Sequence, residues 1–214
     1  MRTDTITAIA TALSDSGIGI VRISGTRAIE VADKIIKLKE KKKTIYDCPT
    51  HTVHYGFVVD GMEIVDEVIV IIMKAPRSYT REDTVEINCH GGILVTNKIL
   101  NLVIKNGVRP ADPGEFTKRA FLNGRIDLAQ AESVIDIIHA KNDFALKSSV
   151  SQLNGAVSDA ISDLRGKILH EIAFIESAID DPEHYQLEDY GIVLSGKLDL
   201  ILDRVNELLK NAEN

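Results

Sequence analysis

The sequence lacks tryptophan and contains only two cysteines among its 214 residues. Cys48 and Cys89 are too far apart to form a zinc knuckle or a Cys-x-x-Cys redox pair, and so few cysteines are typical of a reduced, cytoplasmic protein. Long hydrophobic runs are also lacking, because Asp66 and Glu67 interrupt the longest apolar stretch, residues 64–73. A membrane helix needs about 20 apolar residues. We therefore expect a chain that does not span a bilayer.

Two further absences limit the possible functions. Residues 1–4 show no basic start followed by an apolar segment, so we expect no secretion signal. The chain also lacks an excess of positive charge, since 32 acidic and 25 basic residues give a formal net charge of −7. That balance disfavours broad attraction to nucleic-acid phosphates. The basic run at 37–43 contains no aromatic residue, and we interpret it as a solvated loop.

What is present is enough apolar surface for a folded chain. Hydrophobic residues make up 44% of the sequence, which excludes disorder and allows one medium domain or two small ones. Runs rich in β-branched residues predict strands at 5–9, 18–23, 51–59, 64–74 and 84–90. Helical spacing of apolar residues predicts one helix that begins near Gly25 and another that ends at Asn106-Gly107.

The second half of the chain has almost purely helical periodicity. Asp127 can form a capping box with Gln130 at the start of one helix. From Leu146 to Ile179 apolar residues recur in steps of three and four, which predicts a single helix of 34 residues, roughly 50 Å long. A last amphipathic helix covers 194–208. The fold class predicted is α+β, a mixed-sheet N-terminal domain followed by an all-α domain with one very long helix. The apolar stripe of the long helix needs partner helices, and this chain lacks some of them. We therefore expect the chain to be part of a longer protein.

One motif resembles a phosphate-binding loop without meeting its requirements. Residues 191–198 match the spacing G-x-x-x-x-G-K, but Leu198 stands where the loop needs Ser or Thr to hold magnesium. No buried strand precedes Gly191 either. We interpret the segment as a helix with a glycine near its start, and we expect no nucleotide-binding loop and no metal site in this chain.

Two charged residues interrupt apolar strands and are candidate ligand contacts. Alternation along 84–90 places three apolar side chains on one face and three polar ones, Glu86, Asn88 and His90, on the other. Arg22 interrupts the strand at 18–23 in the same way. Each charge by itself is typical of a sheet rim. Together, a carboxylate and an arginine on neighbouring strands would suit a small ligand with paired donors and an anionic or carbonyl group.

Two other segments allow more than one interpretation. Gly91-Gly92 marks a strand-to-helix transition that is either a tight turn or a close approach to a ligand or another backbone. Residues 112–132 predict a turn, a short helix that stops at Asn123-Gly124, and a second helix start. Arg119 and Arg125 bracket that segment, and the simplest interpretation is an interdomain connector with solvated charges.

The motifs taken together resemble the bacterial and organellar tRNA-modification GTPases of the MnmE or TrmE family. The resemblance covers essentially the whole chain. It includes D-T-I at 4–6, G-I-V-R-I-S-G at 19–25, Y-T-R-E-D at 79–83, H-G-G at 90–92 and the segment 113–132. Arg81 departs from the family's usual glycine, and Arg125 stands where lysine is common, which keeps the charge but changes its geometry.

The resemblance implies a folate-binding and dimerisation domain at 1–118 and part of a central helical domain at 119–214. It implies that 5-formyltetrahydrofolate contacts Arg22, Glu86 and Arg125, near the interface of a homodimer. No catalytic residue is expected in this chain, because GTP, Mg²⁺ and K⁺ belong to a GTPase domain outside it. The family's C-terminal helices and terminal cysteine motif are outside it as well.

The implied activity of the whole protein is tRNA modification. With the flavoprotein MnmG, the family adds an aminomethyl-type group, such as carboxymethylaminomethyl, at C5 of the wobble uridine of certain tRNAs in the cytoplasm. Two alternatives remain at this stage. One is a folate-dependent aminomethyl transferase similar to the glycine-cleavage T-protein, against which the long helical half argues. The other is a dimerisation scaffold that binds no ligand.

Overall fold

The computed structural model describes residues 4–40, 43–185 and 187–212. The chain forms two compact units, Met1–Ile126 and Asp127–Asn214. This division lies eight residues after the boundary expected at 118/119, because the helix α3 (Glu115–Leu122) contributes the buried Arg119 to the first unit. Residues 1–3, in the segment where no secretion signal is expected, lie outside the described residues. Lys41 and Lys42 of the basic run lie outside them as well.

Among its described residues, the first unit contains seven strands and three helices. The strands are β1 (Ile6–Ile9), β2 (Ser16–Ser24), β3 (Ile36–Leu38), β4 (Thr52–Asp60), β5 (Glu63–Met73), β6 (Thr84–Gly91) and β7 (Arg109–Pro110). The helices are α1 (Ala28–Ile35), α2 (Ile93–Lys105) and α3. All five predicted strands are present, and β3 and β7 are additional short strands.

The strands form one mixed sheet in the order β3-β4-β5-β6-β2-β1-β7. Every neighbouring pair is antiparallel except β1 and β7, which run parallel. The buried apolar residues of α1 and α2 share one core with the inward-facing residues of the central strands, among them Val21, Val70 and Ile87. The helices therefore cover one face of the sheet, and the opposite face is available to form a site.

The basic run predicted as a loop begins instead with a strand. Lys37 and Leu38 belong to β3 and pair with β4. The Lys39 ammonium nitrogen lies 4.7 Å from the centroid of the Tyr55 ring. The sequence shows no aromatic residue inside this run, but strand pairing brings one to it from β4.

In the described residues, the regular structure of the second unit consists of four helices. Its helices are α4 (Leu128–His139), α5 (Asp143–Leu153), α6 (Ala156–Asp180) and α7 (Tyr190–Ala212). The predicted capping box is confirmed, since Asp127 accepts from the backbone of Gln130 at 2.8 Å and the Gln130 side chain accepts from the backbone of Asp127 at 3.0 Å. The phosphate-loop look-alike at 191–198 lies within α7, which confirms its helical interpretation.

The prediction of one continuous helix over 146–179 is wrong. The helix is interrupted at Asn154 and Gly155. Gly155 takes a φ of +92°, which separates α5 from α6. Glycine is favoured just after a helix because a Cβ strains that conformation. The apolar spacing continues across the break, so periodicity alone does not reveal it. The predicted long helix of an α+β protein is nevertheless present as α6, with 25 residues and a length of roughly 38 Å.

Within the ranges that the structure describes, no helix combines the length and the hydropathy needed to cross a bilayer.

Candidate functional site

The candidate site begins with an ion pair between the central strands β2 and β6. The strand register places Arg22 directly opposite Glu86. The Arg22 Nε and Nη2 atoms each lie 2.7 Å from Glu86 Oε1. Both side chains are largely but not fully buried, with 27% of Arg22 and 14% of Glu86 exposed. The predicted neighbouring-strand pair is therefore present, and it lies on the sheet face that α1 and α2 leave uncovered.

Tyr79 connects this pair to the third predicted residue. The Arg125 Cζ atom lies 4.7 Å from the centroid of the Tyr79 ring, and the Arg22 Cζ atom lies 5.8 Å from the same centroid. Phe116 of α3 forms a second aromatic surface for Arg22, at 5.4 Å. A hydrogen bond of 2.9 Å between the hydroxyl groups of Tyr79 and Thr117 joins the loop after β5 to α3. The structure thus brings Arg22, Glu86 and Arg125 together around one tyrosine.

The end of α3 positions Arg125. Asn123 ends the helix and Gly124 takes a φ of +69°, after which the Arg125 amide donates back to the Ala120 carbonyl at 2.9 Å. The Asn123 side chain donates to the Thr80 carbonyl at 2.6 Å and ties this turn to the Tyr79 loop. The stop predicted at Asn123-Gly124 is confirmed, and it places Arg125 against Tyr79.

The predicted alternation along β6 is confirmed. Val85, Ile87 and Cys89 are buried in the core, whereas Glu86 and Asn88 face the open side. The Asn88 Nδ2 atom is buried yet has no hydrogen-bond partner among the described residues. A buried unpaired donor is costly, so Asn88 marks a point on this face where the described residues leave a hydrogen bond unmade.

His90, at the end of the same face, forms a pair that the sequence did not indicate. The Asp66 carboxylate accepts from the His90 backbone at 2.8 Å and lies 2.7 Å from its ring Nδ1 atom. The hydrogen bond with Asp66 raises the pKa of the His90 imidazole. The pair holds the end of β6 in place, where Gly91 follows.

Gly91 is explained by the approach of another backbone. A Cβ on Gly91 would lie 2.4 Å from the Ser16 carbonyl oxygen of β2, a distance that no side chain tolerates. Of the alternatives left open by the sequence, the close approach of a neighbouring strand accounts for Gly91.

Both cysteine thiols are buried, and burial raises the pKa of Cys48 and of Cys89.

A buried ionic network supports the site, and sequence reasoning missed it. Arg119, interpreted as a solvated connector residue, is only 7% exposed. Its guanidinium donates to the Asp4 carbonyl at 2.8 Å and to the Asp4 carboxylate at 2.9 Å. It also reaches the carboxylates of Glu82 and Glu115, each at 3.1 Å. Arg109 of β7 binds the same Asp4 and Glu115 at 2.7 Å. The solvated interpretation of Arg119 is therefore wrong, because the fold brings acidic partners from distant segments.

This network makes the first unit sensitive to acid. Hydrogen bonding to Arg109 is the main cause that lowers the pKa of Glu115 from 4.5 to about 2, and Arg109 also lowers the pKa of Asp4. A carboxyl group with a lowered pKa stabilises the fold above its unfolded pKa and loses that contribution as the pH falls through its folded pKa. We expect the Glu115 contribution, up to about 3 kcal/mol, to disappear between about pH 4.5 and pH 2.

Urea unfolding at a series of pH values measures this loss. In Glu115→Gln the stability at pH 7 should be lower and its decline below pH 4.5 shallower. Glu207→Gln removes a carboxylate of an exposed ion pair and is the matched control, which should keep the wild-type profile. Parallel profiles for wild type and Glu115→Gln would contradict the assignment.

The arrangement is suited to holding a flat polar ligand. A carboxylate can accept from paired N–H donors, guanidinium groups can bind carbonyl or carboxylate oxygens, and the rings of Tyr79 and Phe116 offer aromatic surfaces. Among the residues that the structure describes, no cluster of three or more histidine, cysteine or acidic side chains could hold a metal ion.

Comparison with known proteins assigns both units. Residues 5–125 match the family model described as GTP-binding protein TrmE N-terminus, and residues 128–214 match the MnmE helical domain. The tRNA modification GTPase MnmE of Lachnoclostridium phytofermentans is 56% identical over 214 residues, all of this chain and 47% of that protein. The protein of the same name from Bacillus subtilis is 47% identical over 213 residues, 98% of this chain and 46% of its own length.

The corresponding protein of Carboxydothermus hydrogenoformans is 51% identical over 215 residues, and this chain covers 46% of it. The chain thus spans about half the length of the curated relatives that it matches. Since family models match almost all of it, the chain belongs to the MnmE (TrmE) family of tRNA modification GTPases.

Proposed function

We propose that the first unit binds a reduced folate, 5-formyltetrahydrofolate, through Arg22, Glu86 and Arg125. The observation that carries the proposal is the Arg22–Glu86 pair joined to Arg125 by the Tyr79 ring. The 2-amino-pyrimidinone edge of a pterin presents two adjacent N–H donors, which a carboxylate can accept. The arginines would hold its carbonyl or carboxylate oxygens.

The residues present fit such a ligand. Both Arg22 contacts are to Glu86 Oε1, so Oε2 keeps its lone pairs for a second donor. Tyr79 and Phe116 supply aromatic surface beside the pair. The unpaired Asn88 Nδ2 lies two residues from Glu86 on the same strand face. A folate bound here would supply a one-carbon unit, while the chain's own residues would bind and orient it.

For the whole protein we propose the activity implied by the family. It would hydrolyse GTP with Mg²⁺ and K⁺ on a domain outside this chain. With MnmG it would add an aminomethyl-type group at C5 of the wobble uridine of certain tRNAs in the cytoplasm. The first unit would provide folate binding and dimerisation, and the second unit would be part of the helical domain. The names of the relatives, tRNA modification GTPase MnmE, support this assignment.

Calorimetric titration with 5-formyltetrahydrofolate tests the folate proposal. We expect saturable binding with one ligand per chain and a dissociation constant on the order of micromolar. Inosine, which lacks the pterin's 2-amino group, is a suitable control ligand and should give no saturable heat. Absence of folate binding up to millimolar concentration would favour the alternative of a ligand-free scaffold.

The uncovered face of the sheet supports the proposed homodimer. Ile69 of β5 lies opposite both Asn88 and Tyr55 in the strand register, so these three side chains share the site's face. On this face Val53 is 62% exposed, Ile69 45% and Tyr55 43%. Neighbouring exposed apolar side chains of this kind are typical of an interaction surface. In a two-fold dimer the same surface of each subunit would cover the other.

Light scattering should show twice the 23.5 kDa mass of the chain at tens of micromolar. Ile69→Asp places a charge in the proposed interface, and we expect it to weaken association at least tenfold. Leu94→Asp changes an 84% exposed residue of α2 and is the matched control, since α2 covers the opposite face. A wild-type monomer at 100 micromolar, or equal association of both variants, would argue against this interface.

A further inference from the structure

We propose that the site takes folates with an oligo-γ-glutamate tail, and that Arg81 together with Arg125 binds the tail carboxylates. This inference rests on the proposed folate site and names the form of the ligand. Each γ-linked glutamate adds one carboxylate to the folate, so a longer tail carries more negative charge.

The arginines of the first unit that the structure describes fall into two groups. Those at 22, 27, 109 and 119 all form ion pairs with carboxylates. Those at 77, 81 and 125 have no carboxylate within ion-pair distance in the described part of the chain, and all three are exposed. The second group is clustered, because Arg77 and Arg81 flank Tyr79 in sequence and Arg125 lies against its ring. Arg125 thus lies against the aromatic ring of the candidate site, and Arg77 and Arg81 lie in the same loop as that ring.

The net charge of −7 for the whole chain does not show that the first unit has more basic than acidic side chains. Residues 1–126 contain 18 basic and 15 acidic side chains, whereas residues 127–214 contain 7 and 17. The acidic surplus belongs entirely to the helical unit. Within the site Glu86 pairs with Arg22, whereas Arg81 and Arg125 have no carboxylate within ion-pair distance among the described residues, so a ligand with several negative charges would balance these two arginines.

Arg81 is held where it can act with Arg125. Its Nη1 atom donates to the Asn123 carbonyl at 3.0 Å, at the turn that positions Arg125 two residues later. The same atom would lie 3.6 Å from a Cβ on Gly124. One hydrogen bond leaves the other N–H groups of the guanidinium for a second acceptor. At the turn that ends α3, the Arg81 guanidinium is thereby held by the Asn123 carbonyl and the Arg125 guanidinium by the Tyr79 ring.

The backbone of Arg81 is strained, which shows that a side chain is retained at an unfavourable position. Its φ is +59°, a conformation that favours glycine and is unfavourable in a residue with a Cβ. The carbonyl contact offsets part of this cost. A guanidinium that also binds carboxylates accounts for an arginine here better than the turn alone does, since glycine would satisfy the turn without strain.

Affinity measurements with two forms of one ligand test the proposal. Monoglutamyl and triglutamyl 5-formyltetrahydrofolate are titrated into the chain by calorimetry, in 50 mM and in 500 mM NaCl. We expect the triglutamyl form to bind about three- to tenfold more tightly in 50 mM salt, because two exposed ion pairs are added. The ratio should approach one in 500 mM salt, since exposed charges are screened.

Variants assign the effect to Arg81. Arg81→Gln should bind the monoglutamyl form within about twofold of wild type and lose at least half of the tail preference. Arg81→Gly serves as a second variant, because glycine relieves the positive φ and retains the fold if glutamine does not. Arg27→Gln removes an exposed arginine at the N-cap of α1 and should leave the preference unchanged.

The outcomes separate this inference from the proposed function. Equal affinity for both forms would overturn the tail proposal and leave the folate site in place. Failure of both forms to bind would overturn both. A full preference in both Arg81 variants would refute the role of Arg81. Arg81-dependent binding of a single-stranded RNA oligonucleotide, without any tail preference, would show that the arginines serve phosphates instead.

Discussion

Replacing Arg119 with methionine is expected to lower the free energy of unfolding of the first unit by about 3–5 kcal/mol. Methionine keeps an unbranched side chain but removes every donor. The carboxylates of Glu82 and Glu115, 21% and 8% exposed, would each lose a cationic partner in surroundings that water reaches poorly. Removing one member of a buried ion network is costly because the desolvation of the others is no longer compensated.

Urea unfolding followed by circular dichroism measures the change, and hydrogen exchange along β1 localises it, since Arg119 binds Asp4 just before that strand. Arg27→Met is the matched control. Arg27 forms an ion pair with Glu30 in which both side chains are more than one-third exposed, so we expect a much smaller loss than for Arg119→Met. If Arg119→Met cost no more than this control, the network would have no structural role.

Replacing Glu86 with glutamine is expected to raise the dissociation constant for 5-formyltetrahydrofolate at least about tenfold. Glutamine keeps the shape and one acceptor but turns the second acceptor into a donor that would face the pterin's own N–H groups. Loss of a charged hydrogen bond costs about 1.5–3 kcal/mol, which corresponds to about a tenfold or greater change in affinity. The pair with Arg22 would be weakened as well.

Three further variants make this result specific. Arg22→Ala should cause a loss similar to that of Glu86→Gln. Asn88→Ala should cost less, because it removes a neutral amide, and Arg125→Lys should be nearly silent, because lysine keeps the charge beside Tyr79. Circular dichroism must show unchanged helix content in each. If Glu86→Gln binds like wild type, the carboxylate is a rim charge and the placement of the pterin is wrong.

Local sequence rules predicted the parts of the site that depend on neighbouring residues. Alternation along β6 indicated which face Glu86 takes, because successive side chains of a strand point to opposite sides. The Asp127–Gln130 capping box and the stops at Gly107 and Gly124 follow from caps within a few residues. The resemblance to the family, rather than any local pattern, added Arg125 to Arg22 and Glu86.

The sequence-based prediction missed one helix stop because the apolar periodicity continues across it. Asn154-Gly155 is a helix stop of the same kind as Asn106-Gly107, yet apolar spacing continues across it. Periodicity reports which positions are apolar, and it does not report the φ of a single glycine. The break between α5 and α6 therefore needed the structure.

The amino-acid sequence by itself determined the α+β class, the two-part organisation, the strand faces and the family. Only the tertiary structure decided that Arg119 is buried, that Tyr79 joins Arg22 to Arg125, and that Arg81 lies at the same turn. These contacts connect residues far apart in sequence, such as Asp4 and Arg119, 115 positions apart. The environment of a charged side chain depends on which distant carboxylates and rings the folded chain brings to it, and no local pattern contains that information.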